Sequence, residues 1–176
     1  TGTVNTFEAN MALDVSVKNA AIVRGTFNLM GEGSSLSIQS DTWTYWEGEA
    51  TVPGNISLIG GVNTAGNILR NGANADGTSL YVHAASSLYS TTAGSQILLQ
   101  GGHDVEIHGR VVAGGTNSAQ SGIQWTGDDA QITVKAGEQI LVDTALTATG
   151  SVSLTTTLAP SADDAGYGVI VTTAGG

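Results

Sequence analysis

The chain has 176 residues, of which 40% are hydrophobic and 11% are charged, and its 15 acidic and 5 basic residues give a net charge of −10. That length is enough for one domain with a substantial core, and the apolar content argues against a disordered chain. The acidic balance, the scattered basic residues and the short apolar runs argue against nucleic acid partners, anionic membrane surfaces and membrane insertion.

Glycine is abundant, with 25 residues, whereas proline occurs twice and cysteine is absent. Many short strands separated by tight turns would give this profile. The lack of cysteine excludes disulfides and thiolate metal sites. Low charge, many Thr and Ser residues and few Lys residues are typical of large bacterial surface and secreted proteins, so we expect a secreted or cell-surface location. Because the first residues form no signal segment, we expect a mature product or a fragment.

Residues 1–53 contain short runs in which apolar and polar residues alternate. The clearest are LDVSVKNA (13–20) and SLSIQS (35–40). Such alternation predicts strands with one buried face. We expect this part of the chain to be less regular than residues 54–176.

An aromatic segment, DTWTYWEGE (41–49), holds two of the three tryptophans. On a strand, Trp43 and Tyr45 would share one face and Trp46 would lie on the other. If the rings are exposed, Trp43, Tyr45 and Trp46 are candidate glycan-binding residues on which a sugar ring could stack. If the rings are buried, they plug or cap the core, where aromatic side chains supply large apolar area.

The stretch QILLQGGHDVEIHGRVVAGG (96–115) returns 35 residues later as QITVKAGEQILVDTALTATG (131–150). All but two apolar positions of the first copy stay apolar in the second, and the exceptions are Leu98 and Val112, which are replaced by Thr133 and Thr147. The matched pairs include Ile97 with Ile132, Leu99 with Val134, Val105 with Ile140, Ile107 with Val142, and Val111 with Leu146. Weaker copies are NISLIGG (55–61), SVSLTTT (151–157) and VIVTTAGG (169–176). Stacked coils must keep apolar identity at equivalent positions, so this repeat favours a solenoid.

The predicted fold is therefore all-β: a right-handed parallel β-helix that forms a single domain over residues 1–176. The alternative is a β-sandwich, which has no reason to repeat at this interval. The repeat would span either one large coil or two coils of half that length.

A cluster of polar residues, His103, Asp104, Glu106 and His108, lies within the first copy of the repeat. On a strand, Asp104, Glu106 and His108 would project to one face, where they could hold a divalent cation. The second copy keeps the apolar face and replaces the four polar residues by Glu138, Gln139, Leu141 and Asp143. Because such drift is typical of a solvated face, we interpret the cluster as part of the scaffold.

Two pairs of acidic residues lie in Gly- or Ala-bounded turns. Asp128 with Asp129, and Asp163 with Asp164, could each bind calcium with help from backbone carbonyls, and solvated turns are the alternative. No other cofactor is expected. A polysaccharide lyase or hydrolase would need carboxylates gathered on one face, and for an anionic polymer also basic residues, of which the chain has few. We therefore predict a protein without enzymatic activity.

Three segments, GSQILLQGGHDVEIHGRVVAGG, GEQILVDTALTATGSVSLTTT and GNISLIGGVNTAGNI, resemble repeats of filamentous-haemagglutinin-type exoproteins and related giant bacterial surface adhesins. The shared pattern is G-x-I-x-L-x-x-G, followed by a second alternating strand that ends in small residues. The resemblance covers residues 54–176 and implies a secreted rod or filament used in adhesion. The N-terminal secretion-domain signature of that family is not present in the chain.

These observations together predict a non-enzymatic extracellular structural or adhesive module, a stiff β-helical segment of a larger surface or filament protein. Its partners would be its own repeats or neighbouring subunits, with surface glycans or proteins as further partners. The final coil, GYGVIVTTAGG (166–176), lacks a polar cap, so one alternative is a filament subunit joined end to end. Another alternative is a polysaccharide-binding or polysaccharide-cleaving β-helix.

Overall fold

The computed structural model describes residues 2–69, 72–118, 122–157 and 168–172. These residues form strands and turns, which confirms the prediction of an all-β chain. Within this part of the chain, no helix is long and apolar enough to span a membrane.

The strands are, in chain order, β1 (Gly2–Thr6), β2 (Ala12–Val17), β3 (Ala21–Val23), β4 (Gly25–Leu29), β5 (Ser35–Ser40), β6 (Thr44–Trp46), β7 (Glu49–Val52), β8 (Ile56–Gly60), β9 (Thr78–Val82), β10 (Ser87–Ser90), β11 (Gln96–Gly101), β12 (Asp104–Ile107), β13 (Arg110–Ala113), β14 (Gly115–Ser118), β15 (Gly122–Trp125), β16 (Gln131–Ala136), β17 (Ile140–Val142), β18 (Leu146–Ala148), β19 (Val152–Thr156) and β20 (Val169–Val171).

Three six-stranded parallel sheets run along the molecule. Sheet A has the order β1-β4-β7-β10-β13-β18, sheet B has β2-β5-β8-β11-β16-β19, and sheet C has β3-β6-β9-β12-β17-β20. From β2 onwards the chain therefore passes through sheets B, C and A in turn and then returns to sheet B. This arrangement is the predicted parallel β-solenoid, and the strands of residues 2–52 follow the same order of sheets as the later ones.

The 35-residue repeat is a single coil. The structure pairs Ile97 with Ile132 and Val105 with Ile140, as the alignment of the two copies requires. Other coils are shorter, since Leu36 pairs with Ile56 only 20 residues later. The antiparallel hairpin β14–β15, inserted between β13 and β16, accounts for the extra length. The alternative of two half-length coils is therefore wrong.

A continuous core lies between the three sheets. Alternate residues of each strand point inwards and stack on their equivalents in the next coil, because the side chains of a strand alternate between its two faces. In sheet B the stacked and fully buried residues are Leu36, Ile38, Ile56, Leu58, Ile97, Leu99, Ile132 and Val134. Each coil thus covers the apolar layer of the next one.

Gly60 and Gly61 begin the longest insertion, which separates β8 from β9. A Cβ atom on Gly60 would lie 1.9 Å from the carbonyl oxygen of Ser79. Gly61 has a φ of +72°, a conformation that side chains disfavour. This glycine pair therefore lets two segments of backbone come close where the chain leaves the regular coil.

The two ends of the described stack expose apolar residues that the inner coils bury. Val15 on β2 is 38% exposed, whereas its partner Ile38 is 1% exposed. Val152 on β19 is 43% exposed, whereas its partner Ile132 is fully buried. Among the described residues, eleven large apolar side chains are exposed, of which six lie near the first end of the stack and three near the last: Val4, Phe7, Met11, Val15, Ile22 and Met30, and Val152, Val169 and Val171.

Candidate functional site

The outer face of sheet C carries most of the tyrosine, histidine and acidic side chains that come together in the structure. The first outward row consists of Ile22, Tyr45, Tyr81, Glu106, Leu141 and Ile170. Two residues further along the chain, just past the end of each strand, a second row consists of Arg24, Glu47, His83, His108, Asp143 and Thr172. Because coils stack in register, residues that are distant in sequence become neighbours along each row.

His108 joins acidic residues of two successive coils. Its Nδ1 lies 2.6 Å from Oδ2 of Asp143, and its Nε2 lies 3.3 Å from Oε2 of Glu106. The hydroxyl of Thr78 donates a hydrogen bond to the other carboxylate oxygen of Glu106. Burial acts to lower the pKa of His108, but the hydrogen bonds and charges of Asp143 and Glu106 outweigh it and raise that pKa above its usual value.

His103 makes a similar link between the same two coils. Its Nδ1 lies 3.1 Å from Oε1 of Glu138, and its Nε2 lies 3.2 Å from the carbonyl oxygen of Leu69. Between the two histidines, Oδ1 of Asp104 accepts a hydrogen bond from the backbone N–H of Gln139 at 3.0 Å. Burial, together with the charge of Glu138, raises the pKa of Asp104 to about 6.

These contacts explain why acidic residues replace the histidines in the second copy of the repeat. In the sequence comparison, Glu138 and Asp143 were equivalents of His103 and His108 and indicated drift on a solvated face. In the structure the equivalent residues are neighbours, and each histidine pairs with the acid that replaces it. Opposite charge at equivalent positions is thus the signal that could have predicted the pairing.

Asp128 and Asp129, the pair of predicted metal-binding residues that the structure describes, lie apart from this face. Asp128 and Asp129 lie in the turn before β16, where Asp129 has a φ of 54° and the carbonyl of Asp128 accepts a hydrogen bond from the N–H of Gly94 at 2.8 Å. Asp163 and Asp164 lie outside the described residues. Among the residues that are described, no group of three His, Asp or Glu side chains is arranged to hold a metal ion. Calcium binding stays a prediction.

The aromatic segment divides between the two faces of β6. Trp46 is fully buried and packs near Phe27, with ring centroids 5.5 Å apart, so it contributes to the core. Tyr45 is half-buried on the outer face, as is Trp43 just before the strand. The ring of Tyr45 stacks on that of Tyr81 at 4.9 Å. Of the three candidate glycan-binding residues, Trp43 and Tyr45 therefore lie on the outer side and Trp46 does not.

Tyr81 and His83 belong to the same face but were not singled out from the sequence. The ring of Tyr81 has Tyr45 on one side and His108, at 5.0 Å, on the other. Because both neighbours cover it, Tyr81 offers no open ring face to a sugar. This stack of rings therefore ties coils together in the same way as the charged pairs.

The protonation of this face should make stability depend on pH. We expect the protein to be more stable at pH 5 than at pH 8. The raised pKa of His108 contributes stability below its unfolded value of about 6.5 that is lost as the pH rises through the folded pKa. The raised pKa of Asp104 has the same sign, with a contribution that is lost as the pH rises through about 6. Urea midpoints measured at the two pH values test this expectation.

Two histidine variants show whether the cluster is the source of the pH dependence. His108→Gln should reduce the difference between the two midpoints, because it removes one of the two shifted groups. His83→Gln makes the same substitution one coil away in the same row, where the imidazole contacts Tyr45 and Tyr81 instead of carboxylates, and should change the difference less. Greater stability at pH 8, or equal effects of the two variants, would contradict the assignment.

Chemically, the outer face of sheet C can bind and release protons near neutral pH and can hold successive coils together. His108 contacts two carboxylates on this face, those of Asp143 and Glu106. Comparison with known proteins adds no identity: no protein-family model, curated protein or solved structure matches the chain.

Proposed function

We propose that this chain is a stiff, non-enzymatic segment of a larger secreted or cell-surface protein. The observation that carries the proposal is the stack of parallel strands in three sheets, which continues from the first coil to the last. In such a stack each coil contacts only its neighbours, and both the backbone hydrogen bonds and the buried layers repeat along one axis. The low charge and the absence of cysteine support the extracellular location.

The charged pairs of sheet C support a structural role. Arg24 with Glu47 and His108 with Asp143 each join equivalent positions of successive coils, as His103 does with Glu138. Side chains used in this way hold the stack together. The contacts of this face therefore have a structural explanation, the reinforcement of a rod, that requires no bound substrate.

A second candidate function is that of a filament subunit joined end to end. The observation that favours it is the exposure of core residues at both ends of the stack, such as Val15 and Val152. The strands at the two ends, β1–β3 and β18–β20, belong to the same three parallel sheets. A second copy stacked head to tail would continue every sheet, and such a contact does not close on itself. The described residues of the last coil, 144–157 and 168–172, carry no charged side chain that would oppose the contact.

Imaging the purified chain by negative-stain electron microscopy, with and without calcium, tests these two proposals. The rod segment predicts discrete particles in both conditions, whereas the filament subunit predicts fibres of constant width. In the second case, Val15→Lys should abolish the fibres, because a charge would enter the joint. Asp14→Lys, on the outer face of the same strand, should preserve them.

An activity assay tests the non-enzymatic assignment separately. The purified chain is incubated with a panel of polysaccharides, and release of new sugar ends would contradict the assignment.

A further inference from the structure

A groove runs along the outer face of sheet A, and its lining includes Glu47, which also belongs to the charged pairs of sheet C. Two hollows of about 400 and 410 Å³ share Thr26, Glu49 and Ala85 in their linings and so form one continuous channel. It crosses five strands, from Thr3 on β1 to Arg110 on β13. With neighbouring strands about 4.8 Å apart, its floor is roughly 20 Å long. The groove therefore suits an extended chain better than a compact ligand.

The groove lies between two insertions into the regular coil. Between β6 and β7, and between β12 and β13, two residues connect sheet C to sheet A, whereas between β9 and β10 the connection is 83–86. The added residues Ala84 and Ala85 are exposed and line the groove on one side. The hairpin β14–β15 is the other insertion, and Thr116 of β14 lines the groove as well.

The hairpin also covers side chains that a bare solenoid would expose. Tyr89 and Val112 point outwards as neighbours on sheet A, yet Tyr89 is only 6% exposed and Val112 is fully buried. Strand β14 packs beside β10, the strand that carries Tyr89. Insertions of solenoids commonly gather on the binding face, and here two of them border one floor.

Most of the polar groups on the floor are hydroxyls and amides. Thr26, Asn28, Thr51 and Ser87 lie on adjacent strands and line the groove. Asn28 also donates a hydrogen bond from its side chain to Oδ1 of Asn5 at 3.1 Å, so the amides form a short ladder. Hydroxyl and amide groups both donate and accept hydrogen bonds, as the hydroxyl groups of a sugar require.

The charges along the groove narrow the class of ligand. Glu47, Glu49 and Arg110 line it, so acidic residues outnumber the basic one, and the chain as a whole carries a net charge of −10. These acids would repel a sulfated or uronic acid polymer and nucleic acid. An apolar peptide would find little apolar lining besides two alanines and the covered Tyr89. An uncharged polymer rich in hydroxyl groups fits best.

We propose that the groove between the Ala84–Ala85 turn and the β14–β15 hairpin binds one extended strand of a neutral polysaccharide. Thr26, Asn28, Thr51 and Ser87 would bind its hydroxyl groups, and Glu49 would accept further hydrogen bonds. The inference rests on the proposed extracellular function and assigns a ligand class to it.

Isothermal titration of the purified chain with cellohexaose, chitohexaose, mannohexaose and a heparin hexasaccharide tests the proposal. We expect at least one neutral hexasaccharide to bind and the heparin fragment not to bind. Thr51→Val should weaken that binding about three- to tenfold, the effect of one lost hydrogen bond. Ala85→Trp, in the exposed turn, should block the groove and abolish binding. Thr133→Val makes the same change on the outer face of sheet B and should bind as the natural chain does.

Three results would overturn the assignment: no binding of any neutral hexasaccharide, preference for the heparin fragment, or equal losses in Thr51→Val and Thr133→Val. Circular dichroism of each variant establishes that it is folded before the titration is compared. Electron microscopy reports on contacts between the ends of the stack, whereas titration reports on binding in the groove. If no hexasaccharide binds and the particles are discrete, the polysaccharide-binding proposal therefore fails while the rod-segment proposal stands.

Discussion

Leu99→Ala is expected to lower the free energy of unfolding by about 2–5 kcal/mol. Leu99 is fully buried in sheet B, where it lies between Leu58 and Val134 of the neighbouring coils. Strands on both sides hold these layers apart, so the cavity left by the missing side chain can close only in part. Equilibrium unfolding in urea, followed by circular dichroism, measures the loss.

The neighbouring residue on the same strand provides a matched control. Leu98 points to the outer face and is half-buried, so Leu98→Ala should cost about 1 kcal/mol or less. A shift of one residue in register would exchange the inward and outward faces of the strand. Equal losses at the two positions, or a larger loss at Leu98, would contradict the orientation of β11.

A disulfide between two coils is expected to raise the free energy of unfolding by about as much as Leu99→Ala lowers it. Leu98 and Thr133 are register partners on the outer face of sheet B. Partners on adjacent strands lie about 4.8 Å apart, within the range that a disulfide can bridge. Closing a loop of 35 residues should stabilise the protein by about 3–4 kcal/mol in the chain-entropy account. Urea unfolding of the oxidised and reduced Leu98→Cys/Thr133→Cys variant measures the difference.

The strand positions and much of the register could be predicted because the core imposes a simple rule on the sequence. Stacked inward positions such as Leu99 and Val134 must both be apolar, so the alternation survives in every coil. The length of a coil could not be predicted in the same way. The hairpin β14–β15 and the insertion after Gly61 have no counterpart in the coils around them, so comparison of repeats does not reveal them.

The contacts of the outer faces were harder to predict than the core. Tyr45 and Tyr81 stack on each other in a row whose successive members are all separated by different numbers of residues, so no fixed interval in the sequence reveals the contact. His108 and Asp143 occupy equivalent positions, but their pairing appears as a change of residue and not as a conserved one. A charged contact between coils needs two different partners, so such pairs keep complementary charge instead of identity.

Residues one coil apart lie side by side in three parallel sheets, and cross-linking between sheet partners is the sharpest test of this register. Because the chain has no cysteine of its own, a pair of introduced cysteines has no competing thiols. We predict that mild oxidation of the Leu98→Cys/Thr133→Cys variant joins the pair within one chain, as seen by loss of free thiols. The Leu98→Cys/Lys135→Cys variant places the second cysteine about 8 Å away on the same face, too far to be bridged without backbone movement. An unlinked first pair, or equal linking of both pairs, would contradict the solenoid and its register.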